Sequence, residues 1–346
     1  MSIDFLDGFD LYLNITGAEQ QWGKVGAPVV VTNLGRFAGG TVKCADGDDH
    51  IYYTDAANND YATFGCAFKS DLGAAVRVLA WKDNVGITPG DINASVQVNA
   101  DGSLTIEGDS GADKGSTASG VIVADTWYYI ELKVHRAASG SAEVFVNGVS
   151  ELSVSSQDFL EGSVNSYFAF GSVGSSDGAI TFIDDAYVAT DASALPTELG
   201  DVRISTLLPN NDTGVSDWTP SAAGSPENAF DLINDNIGTN GDGDTSYISE
   251  TTINNKSEFE MEDLAESPTS IHAVAVSTRA SKTDAGSIGY TSYVESAGTE
   301  GAGTEIAPSE SSYNISTDVF ENDPDTAAAW LEAAVNAIKV GVEVTS

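Results

Sequence analysis

The sequence has few cationic side chains. Lysine and arginine together number 14 among 346 residues, against 52 aspartates and glutamates, and the formal net charge is -38. Binding to nucleic acid requires cations that displace counterions from phosphates, and anionic membranes attract basic segments, so the charge disfavours both partners. We therefore expect no nucleic-acid partner and no membrane insertion. An acidic surface of this kind is typical of an exported or particle-bound protein that stays soluble.

Cysteine, histidine and long apolar runs are also scarce. Two cysteines, Cys44 and Cys66, are too few for a disulfide framework, and each lies in a strand-like segment where a thiol acts as a small hydrophobe. The three histidines, His50, His135 and His272, are isolated in sequence, so no nucleophile has a neighbouring base. No stretch reaches the ~18 apolar residues of a membrane span, and the first residues lack a secretion-signal pattern. We expect a protein that is made and folded in a cytoplasm.

Short alternating runs separated by Gly, Asn, Asp and Ser fill the first 190 residues. Residues 62–68, 75–81 and 127–134 read as strands, and Asn147-Gly148 is a strong signal for a two-residue hairpin. This pattern is typical of a β-sandwich or barrel. The sequence predicts an all-β sandwich over residues 1–190, followed by a linker of small, polar and proline residues at 191–198.

The second predicted domain, residues 199–346, is also rich in strands. Alternating segments at 201–208, 271–279 and 337–344 are predicted strands. Asp323-Pro324 resembles a helix cap with proline at the first helical position, and an alanine-rich run follows it. We therefore expect one C-terminal helix near residues 324–336.

Paired carboxylates are the first candidates for catalysis. Glu258, Glu260 and Glu262 alternate along a strand and only loosely resemble the acidic signature of laminarinase-like glycosidases, while Glu107 and Asp109 form an incomplete version of it. We interpret the first set as a solvated strand face. No zinc spacing or phosphate loop is present, so we predict that the protein is not an enzyme.

Two acidic, glycine-containing loops are weak candidates for calcium. One contains Asp46, Asp48 and Asp49, and the other contains Asp242 and Asp244. Carboxylate oxygens on flexible loops suit a hard cation, but neither loop fits the EF-hand template. Ordinary Asx and glycine turns are the alternative interpretation, and no other cofactor is expected.

The first half resembles the concanavalin A-like/laminin G-like lectin superfamily as it occurs in phage structural proteins. The residues that carry the resemblance are 5–9, 35–37, 127–134, 146–148 and 182–188. The resemblance implies a jelly-roll sandwich whose lectin-like surface is a candidate for contact with host surface glycans; in the alternative of a glycan-binding adsorption module, exposed aromatic residues at its rim make that contact.

The second half is similar to the C-terminal part of tailed-phage virion proteins. The similarity rests on residues 199–203, 208–209, 216–220, 244–247, 271–279, 284–286, 323–326 and Trp330. It implies a structural protein on the virion exterior, tail-associated as a minor tail, fibre or collar component, in contact with other virion proteins. A capsid decoration protein, a glycan-binding adsorption module and a polysaccharide-degrading enzyme are the alternatives.

The predicted C-terminal helix also suggests self-association. Trp330, Leu331, Val335 and Ile338 recur at near-helical spacing beside an alanine-rich run that lets another backbone approach closely. Because most homo-oligomers are closed and symmetric, a homo-oligomer is expected, with a trimer as the first choice. The alternative is that this helix covers its own domain's sheet.

Overall fold

Strands form most of the regular structure in both halves of the chain. The computed structural model describes residues 2–85, 91–160, 166–174, 179–221, 228–235, 245–283, 285–310 and 312–346. The chain divides into two compact units, Met1–Ile204 and Ser205–Ser346. Within the described residues the only α-helices are two of four residues each, so none is long and apolar enough to cross a membrane. The predicted all-β fold class is confirmed.

The N-terminal unit contains fifteen strands and one short helix among its described residues. In chain order they are β1 Ser2–Asp7, α1 Ile15–Ala18, β2 Gly23–Val25, β3 Val29–Val31, β4 Thr41–Cys44, β5 His50–Asp55, β6 Tyr61–Ser70, β7 Val76–Lys82, β8 Ile92–Val98, β9 Leu104–Gly108, β10 Ala112–Ser116, β11 Tyr128–His135, β12 Gly140–Val146, β13 Val149–Gln157, β14 Ser166–Gly171 and β15 Thr181–Asp191.

These strands form the two layers of a sandwich. The first sheet has the order β13-β12-β11-β6-β15-β4-β3, with β1 paired to β15, and the second has the order β10-β9-β8-β7-β14-β5-β2. All pairs within the two sheets are antiparallel, and the chain crosses repeatedly from one sheet to the other. The predicted N-terminal jelly-roll sandwich is therefore confirmed.

Aromatic rings fill the space between the two sheets. Phe64 of β6 meets Phe168 and Phe170 of β14 at centroid distances of 5.0 and 6.1 Å. Both cysteines, Cys44 and Cys66, are free and fully buried here, as predicted, and burial raises the pKa of the Cys44 thiol to about 12. They therefore act as apolar core residues rather than reactive thiols.

The hairpin between β12 and β13 turns at Asn147 and Gly148, as predicted. Both residues have positive φ, 50° and 76°, which is the backbone that a two-residue hairpin of matching twist requires. The Asn147 side chain also accepts a hydrogen bond from the Tyr129 backbone N–H at 2.8 Å. The turn therefore fixes the register of β11, β12 and β13 together.

The segment after β15 is attached to the sandwich rather than extended from it. The buried carboxylate of Glu131 accepts hydrogen bonds from the backbone N–H groups of Leu199 and Gly200, at 2.8 and 3.1 Å, and Thr63 donates to the Pro196 carbonyl. The linker predicted at residues 191–198 is therefore part of the N-terminal unit, and so is residue 204. The predicted strand at 201–208 is irregular, and the Ile204 N–H within it donates to the Asp185 side chain rather than to a neighbouring strand. Independent folding of the two halves stays a prediction.

The C-terminal unit contains eleven described strands and one short helix. They are β16 Pro209–Ser216, β17 Thr219–Pro220, β18 Ile248–Ser249, β19 Lys256–Met261, β20 Val274–Ala280, β21 Tyr290–Ser296, β22 Thr299–Ala302, β23 Asn314–Phe320, β24 Asn322–Asp323, β25 Ala328–Ala329, α2 Glu332–Val335 and β26 Lys339–Val344. Its largest sheet has the order β16-β19-β26-β21-β22, and β20 pairs with β23.

One face of the five-stranded sheet covers the apolar core of this unit. Val294 of β21 packs with Val276, Trp330, Val335 and Ile338, all buried. The indole N–H of Trp330 donates to the Phe320 carbonyl at 2.7 Å, so the polar atom of the largest core side chain is satisfied.

The predicted helix at residues 324–336 is largely wrong. The Asp323 carboxylate accepts hydrogen bonds from the Asp325 backbone N–H and the Thr326 hydroxyl, which closes a turn between β24 and β25 instead of capping a helix. Ala327 then has a φ of 53°, and only Glu332–Val335 is helical. The aspartate that resembled a cap is thus a turn residue.

The apolar side chains of this segment lie mostly inside the unit. Trp330, Val335 and Ile338 belong to the core, whereas Leu331 is 69 % exposed. This arrangement matches the alternative in which the segment covers its own sheet. The homo-oligomer stays a prediction without support from these side chains.

Candidate functional site

A line of outward-facing side chains crosses the first sheet of the sandwich. On β15, Thr181 and Ile183 are buried, so Phe182 between them faces outward and is half-buried. The register places Phe182 opposite Lys43 on β4 and opposite Lys69 on β6. Two strand spacings separate the lysines, so their Cα atoms are about 9.5 Å apart.

Trp127 extends this line immediately before β11. Its ring meets that of Phe182 at 6.5 Å and 62°, an edge-to-face arrangement, and it is also half-buried. The Lys69 ammonium lies 4.5 Å from the centroid of Phe182 and 4.9 Å from that of Trp127. We call Lys43, Lys69, Trp127 and Phe182 the aromatic–lysine face. Each cation–π contact of this kind contributes about 0.5–1 kcal/mol at a partly exposed site.

The lysines of this face have no carboxylate partner in the part of the chain that the structure describes. Neither Lys43 nor Lys69 forms an ion pair with any carboxylate among the described residues, whereas Lys24, Lys133 and Arg77 each pair with a glutamate at 2.5–2.8 Å. Their ammonium groups, each with three N–H donors, are therefore open to a ligand on the outer side of the sheet.

A second group of cations borders the aromatic–lysine face. Phe37 is 47 % exposed, and the guanidinium groups of Arg36 and Arg203 lie 5.0 and 4.3 Å from its ring centroid. The backbone N–H of Arg36 donates at 2.7 Å to Asp184, the next outward-facing residue of β15 after Phe182. This hydrogen bond ties the second group of cations to β15, the strand that carries Phe182, on the same side of the sheet.

The carboxyl groups next to this border are buried. Asp184 and Asp185 are 4 % and 2 % exposed, and burial raises the pKa of both above the usual range. Backbone N–H groups of Asp185 and Ile204 donate to them at 2.9 and 2.8 Å, and Arg36 lies 3.7 Å from Asp185. The raised pKa values favour the neutral acids, which weakens the negative field beside the face.

The outer side of the second sheet is occupied by the chain's own groups. Glu107, one acid of the incomplete glycosidase pattern, is 3 % exposed and binds Arg77 at 2.5 Å and the Ser95 hydroxyl at 2.6 Å. Its carboxylate is therefore occupied by partners within the protein. Half-buried Tyr52 and Tyr167, on β5 and β14 of the same sheet, have ring centroids 5.6 Å apart.

The first predicted calcium loop is closed by backbone donors. Both oxygens of Asp49 accept hydrogen bonds, one from the Ala27 N–H at 2.7 Å and the other from those of Ala45 and Asp46 at 3.1 Å. Among the described residues, no group of three or more His, Cys, Asp or Glu side chains could hold a metal ion. Asp48 contributes its carbonyl to His50. The second loop, with Asp242 and Asp244, lies outside the described residues, and calcium stays a prediction.

The histidines do not converge. Burial lowers the pKa of His50 to about 4, so this ring is neutral at physiological pH, and its Nδ1 lies 3.0 Å from the Asp48 carbonyl. His135 stacks on Tyr61 at 4.4 Å, and burial lowers the pKa of His272. His50 is thus buried and His135 is packed on a ring, whereas His272 is exposed and precedes β20.

The three alternating glutamates, two in β19 and one just after it, each have a separate partner. Glu258 is only 5 % exposed and lies 3.6 Å from Lys339, Glu260 accepts from Asn211, and Glu262 accepts from the Leu208 N–H. The interpretation as a solvated strand face is therefore wrong for Glu258, because a neighbouring strand supplies a lysine to it.

Lysines and glutamates alternate across this side of the C-terminal sheet. Lys339 also binds Glu295, while Lys256 lies 2.7 Å from Glu300, 3.3 Å from Glu343 and 4.9 Å from the Tyr293 ring. We call this set, Lys256, Lys339, Tyr293 and the glutamates 258, 295, 300 and 343, the glutamate–lysine face. Here both lysines are neutralised by the protein itself.

No family model and no curated protein matches the sequence. Among solved structures, the chain is similar to the conserved carbohydrate esterase of Shiga toxin-encoding bacteriophage phi24B, with 15 % identity, a TM-score of 0.36, and coverage of 51 % of this chain and 92 % of the esterase. It is also similar to an alginate lyase, with 11 % identity, a TM-score of 0.39, and coverage of 56 % and 98 %. A third likeness is to the binding domain of botulinum neurotoxin serotype G, with 10 % identity, a TM-score of 0.36, and coverage of 50 % and 44 %.

Two of these similar structures are enzymes. This finding corrects the prediction that the protein is not an enzyme, because that prediction took the absence of complete sequence motifs as sufficient. All three TM-scores lie below 0.4.

Proposed function

We propose that this protein binds carbohydrate through the aromatic–lysine face of its N-terminal sandwich. The observation that carries the proposal is the pair of half-buried rings, Trp127 and Phe182, on the outer side of a rigid sheet. A sugar ring presents a face of C–H groups that packs on an aromatic ring, and hydroxyl groups that accept hydrogen bonds from ammonium donors.

The two rings are positioned by strands rather than by a mobile loop. Phe182 is fixed by the ladders of β15 with β4 and β6, and Trp127 directly precedes the first residue of β11, Tyr128, which pairs with Phe68. A preformed aromatic surface loses little conformational freedom when a ligand binds, and Trp is among the residues that contribute most to binding energy.

We place this binding role on the exterior of a bacteriophage particle. The support is the resemblance of both halves to phage virion proteins, together with a strongly acidic composition that suits an exposed particle component. In this proposal the sandwich is displayed toward host surface glycans, and the C-terminal unit attaches to other virion proteins as a homo-oligomer, with a trimer as the first choice. A tail-associated position is favoured, and capsid decoration is the alternative.

The binding proposal is tested with the full chain on a glycan array and by calorimetry with each glycan that binds. We expect Trp127→Ala to weaken binding at least tenfold, about 1.4 kcal/mol, and Trp127→Phe to retain part of it. Tyr247→Ala is the matched control, because Tyr247 is an exposed aromatic of the C-terminal unit. Equal binding by the Trp127→Ala and Tyr247→Ala variants, or no glycan bound by the unaltered chain, would contradict the proposal. Release of reducing sugar is measured in the same samples.

The particle position is tested by gold-labelled electron microscopy of virions with an antibody against the purified chain. Label on the tail supports the favoured position, label on the head supports decoration, and unlabelled particles contradict the virion role. Mass measurement of the purified chain checks the oligomer.

A further inference from the structure

We infer that the saccharide bound by the aromatic–lysine face is anionic, with a carboxylate or sulfate group that Lys43 and Lys69 contact. This inference rests on the proposed carbohydrate-binding function and assigns the chemical class of its ligand. Three features support an anionic ligand: the two lysines pair with no described carboxylate, they flank Phe182, and the net charge of the protein limits the size of the anion that binds.

Lys43 and Lys69 differ from the lysines that pair with glutamates, a state that Lys282 shares among the described residues. The chain has 52 carboxylate side chains against 14 cations, so a surface lysine easily finds an acidic neighbour. Lys24 and Lys133 do so at 2.8 Å, and Lys256 contacts two glutamates. Lys43 and Lys69 contact no carboxylate in the described parts of the chain. A negative group that balances the charge of these lysines must therefore come from outside the described parts of the chain.

The positions of the two lysines also favour an anionic sugar. Lys43 and Lys69 stand on the two strands that flank Phe182, and the Lys69 ammonium lies over both aromatic rings. A sugar packed against Trp127 and Phe182 thus has a cation on either side of the phenyl ring, about 9.5 Å apart at the backbone. Each ammonium offers three donors but no acceptor, so the pair favours a ligand group that only accepts hydrogen bonds. Carboxylates and sulfate esters are such groups.

The net charge of the whole molecule limits the size of the anion that can bind. A net charge of -38 repels long polyanions, but beyond about 10 Å this repulsion is screened at 0.1 M salt, whereas the contact with the two lysines is not. The nearest outward acid on the same strand, Asp184, has its pKa raised by burial. The face therefore suits a short saccharide with one or two negative groups rather than an extended polyanion.

The test compares glycans that differ only in charge. The array carries trigalacturonate with its neutral methyl ester, galactose 6-sulfate with galactose, and uronate- and sialate-bearing glycans with their neutral parents. We expect binding to concentrate in the acidic members by at least tenfold and to weaken between 50 and 500 mM NaCl, roughly the range over which the screening length falls from ~14 to ~4 Å. The carboxylate and sulfate arms show which group is recognised.

Two variants assign the preference to the lysines. Lys43→Gln and Lys69→Gln should each reduce the preference for acidic over neutral glycans by fivefold or more, with a smaller loss of binding to the neutral parents, which lose a hydrogen-bond donor. Lys133→Gln is the matched control, because Lys133 lies on the same sheet and already pairs with Glu198. Circular dichroism of each variant confirms that it is folded.

The outcomes separate this inference from the proposed function. Equal binding of acidic and neutral glycans, or a preference unchanged in both lysine variants, overturns the inference and leaves carbohydrate binding intact. Absence of binding to every glycan overturns the proposed function, and the inference with it.

Discussion

Two sheet faces in this protein use the same residue types in opposite ways. On the glutamate–lysine face of the C-terminal unit, Lys256 and Lys339 each contact two glutamates. On the aromatic–lysine face of the N-terminal unit, Lys43 and Lys69 lie beside Phe182 and pair with no described carboxylate. In a chain so rich in acids, the first arrangement is what the composition favours. The second arrangement leaves two positive charges without a described carboxylate partner.

The difference separates lysines that stabilise the fold from lysines that serve a ligand. A lysine between two glutamates relieves the repulsion that those glutamates would otherwise exert, so its removal affects folding. A half-buried lysine beside aromatic rings contributes little to folding, and its charge is available to a binding partner. The comparison therefore makes opposite predictions for stability and for binding at the two faces.

The variant with the largest expected effect, Trp330→Ala, tests whether the two faces belong to separately stable units. Trp330 is 2 % exposed in the core beneath the glutamate–lysine face, so Trp330→Ala should destabilise the C-terminal unit by about 3–5 kcal/mol. The sandwich and its binding face should remain folded. Denaturant unfolding followed by fluorescence and glycan binding measures both effects.

The neighbouring residue provides the control for this experiment. Leu331 is 69 % exposed, so Leu331→Ala should change the free energy of unfolding by less than about 0.5 kcal/mol. If Trp330→Ala abolished glycan binding as well, the two units would form one cooperative structure, and the comparison of independent faces would fail.

The second prediction uses pH, because the two units should respond in opposite directions. Burial raises the pKa of Asp184 and Asp185 to about 8 and about 7, so the native N-terminal unit holds protons that the unfolded chain loses near 3.8. Their contribution to stability is therefore fully present below about pH 3.8, falls by up to about 1.4 kcal/mol per pH unit for each such proton as pH rises, and is lost above pH 7–8. His50, with its pKa lowered to about 4, acts in the other direction only below about pH 6.5.

The C-terminal unit should show the reverse dependence. The hydrogen bond from Lys339 lowers the pKa of Glu295, so that contribution is present above the ordinary value of 4.5 and is lost as pH falls below it. Calorimetry between pH 6.5 and 8 should show the melting temperature of the N-terminal unit falling, and Asp185→Asn should flatten the slope. A wild-type slope that is already flat in this range would show that the carboxyl pair does not titrate there.

The third prediction concerns the paired lysine. Lys339→Met leaves Glu258 and Glu295, which are 5 % and 9 % exposed, without their shared cation. Since Lys339 itself is partly exposed, the expected loss of about 1–2 kcal/mol lies between the values for surface and buried pairs. Lys282→Met is the control, because the Lys282 ammonium donates to the Gly286 carbonyl and pairs with no carboxylate among the described residues. Equal stability of the Lys339→Met and Lys282→Met variants would mean that a lysine paired with glutamates stabilises the fold no more than an unpaired one.

The sequence was sufficient for the fold class and for individual turns. Alternation with period two predicts strands wherever one side of a sheet is buried, and Asn147-Gly148 predicts its hairpin because its backbone twist suits so few residues. The C-terminal helix was mispredicted because Asp323 caps a turn as readily as a helix, and only tertiary contacts of Trp330 decide between the two.

The candidate site could not be predicted in the same way. Trp127 and Phe182 were already notable as markers of the sandwich, but Lys43 and Lys69 lie in strands whose pairing with β15 is set by long-range register. Nothing local in the sequence places these lysines beside Phe182. The absence of acidic partners is likewise visible only when neighbouring strands are known.

The smallest expected effect is the most direct test of the comparison. Lys43→Gln removes a charge that contacts no described carboxylate, so the free energy of unfolding should change by less than about 0.5 kcal/mol, against about 1–2 kcal/mol for Lys339→Met. Lys69→Gln should cost slightly more, up to about 1 kcal/mol, because it also loses the contacts with Trp127 and Phe182. Denaturant unfolding of the variants, side by side and at one salt concentration, measures the ranking. In an acidic protein, removal of a lysine that truly offsets nearby carboxylates lowers stability more at low salt than at high salt. A loss for Lys43→Gln as large as that for Lys339→Met, and larger at low salt, would mean that Lys43 stabilises the fold, so the two faces would not differ in kind.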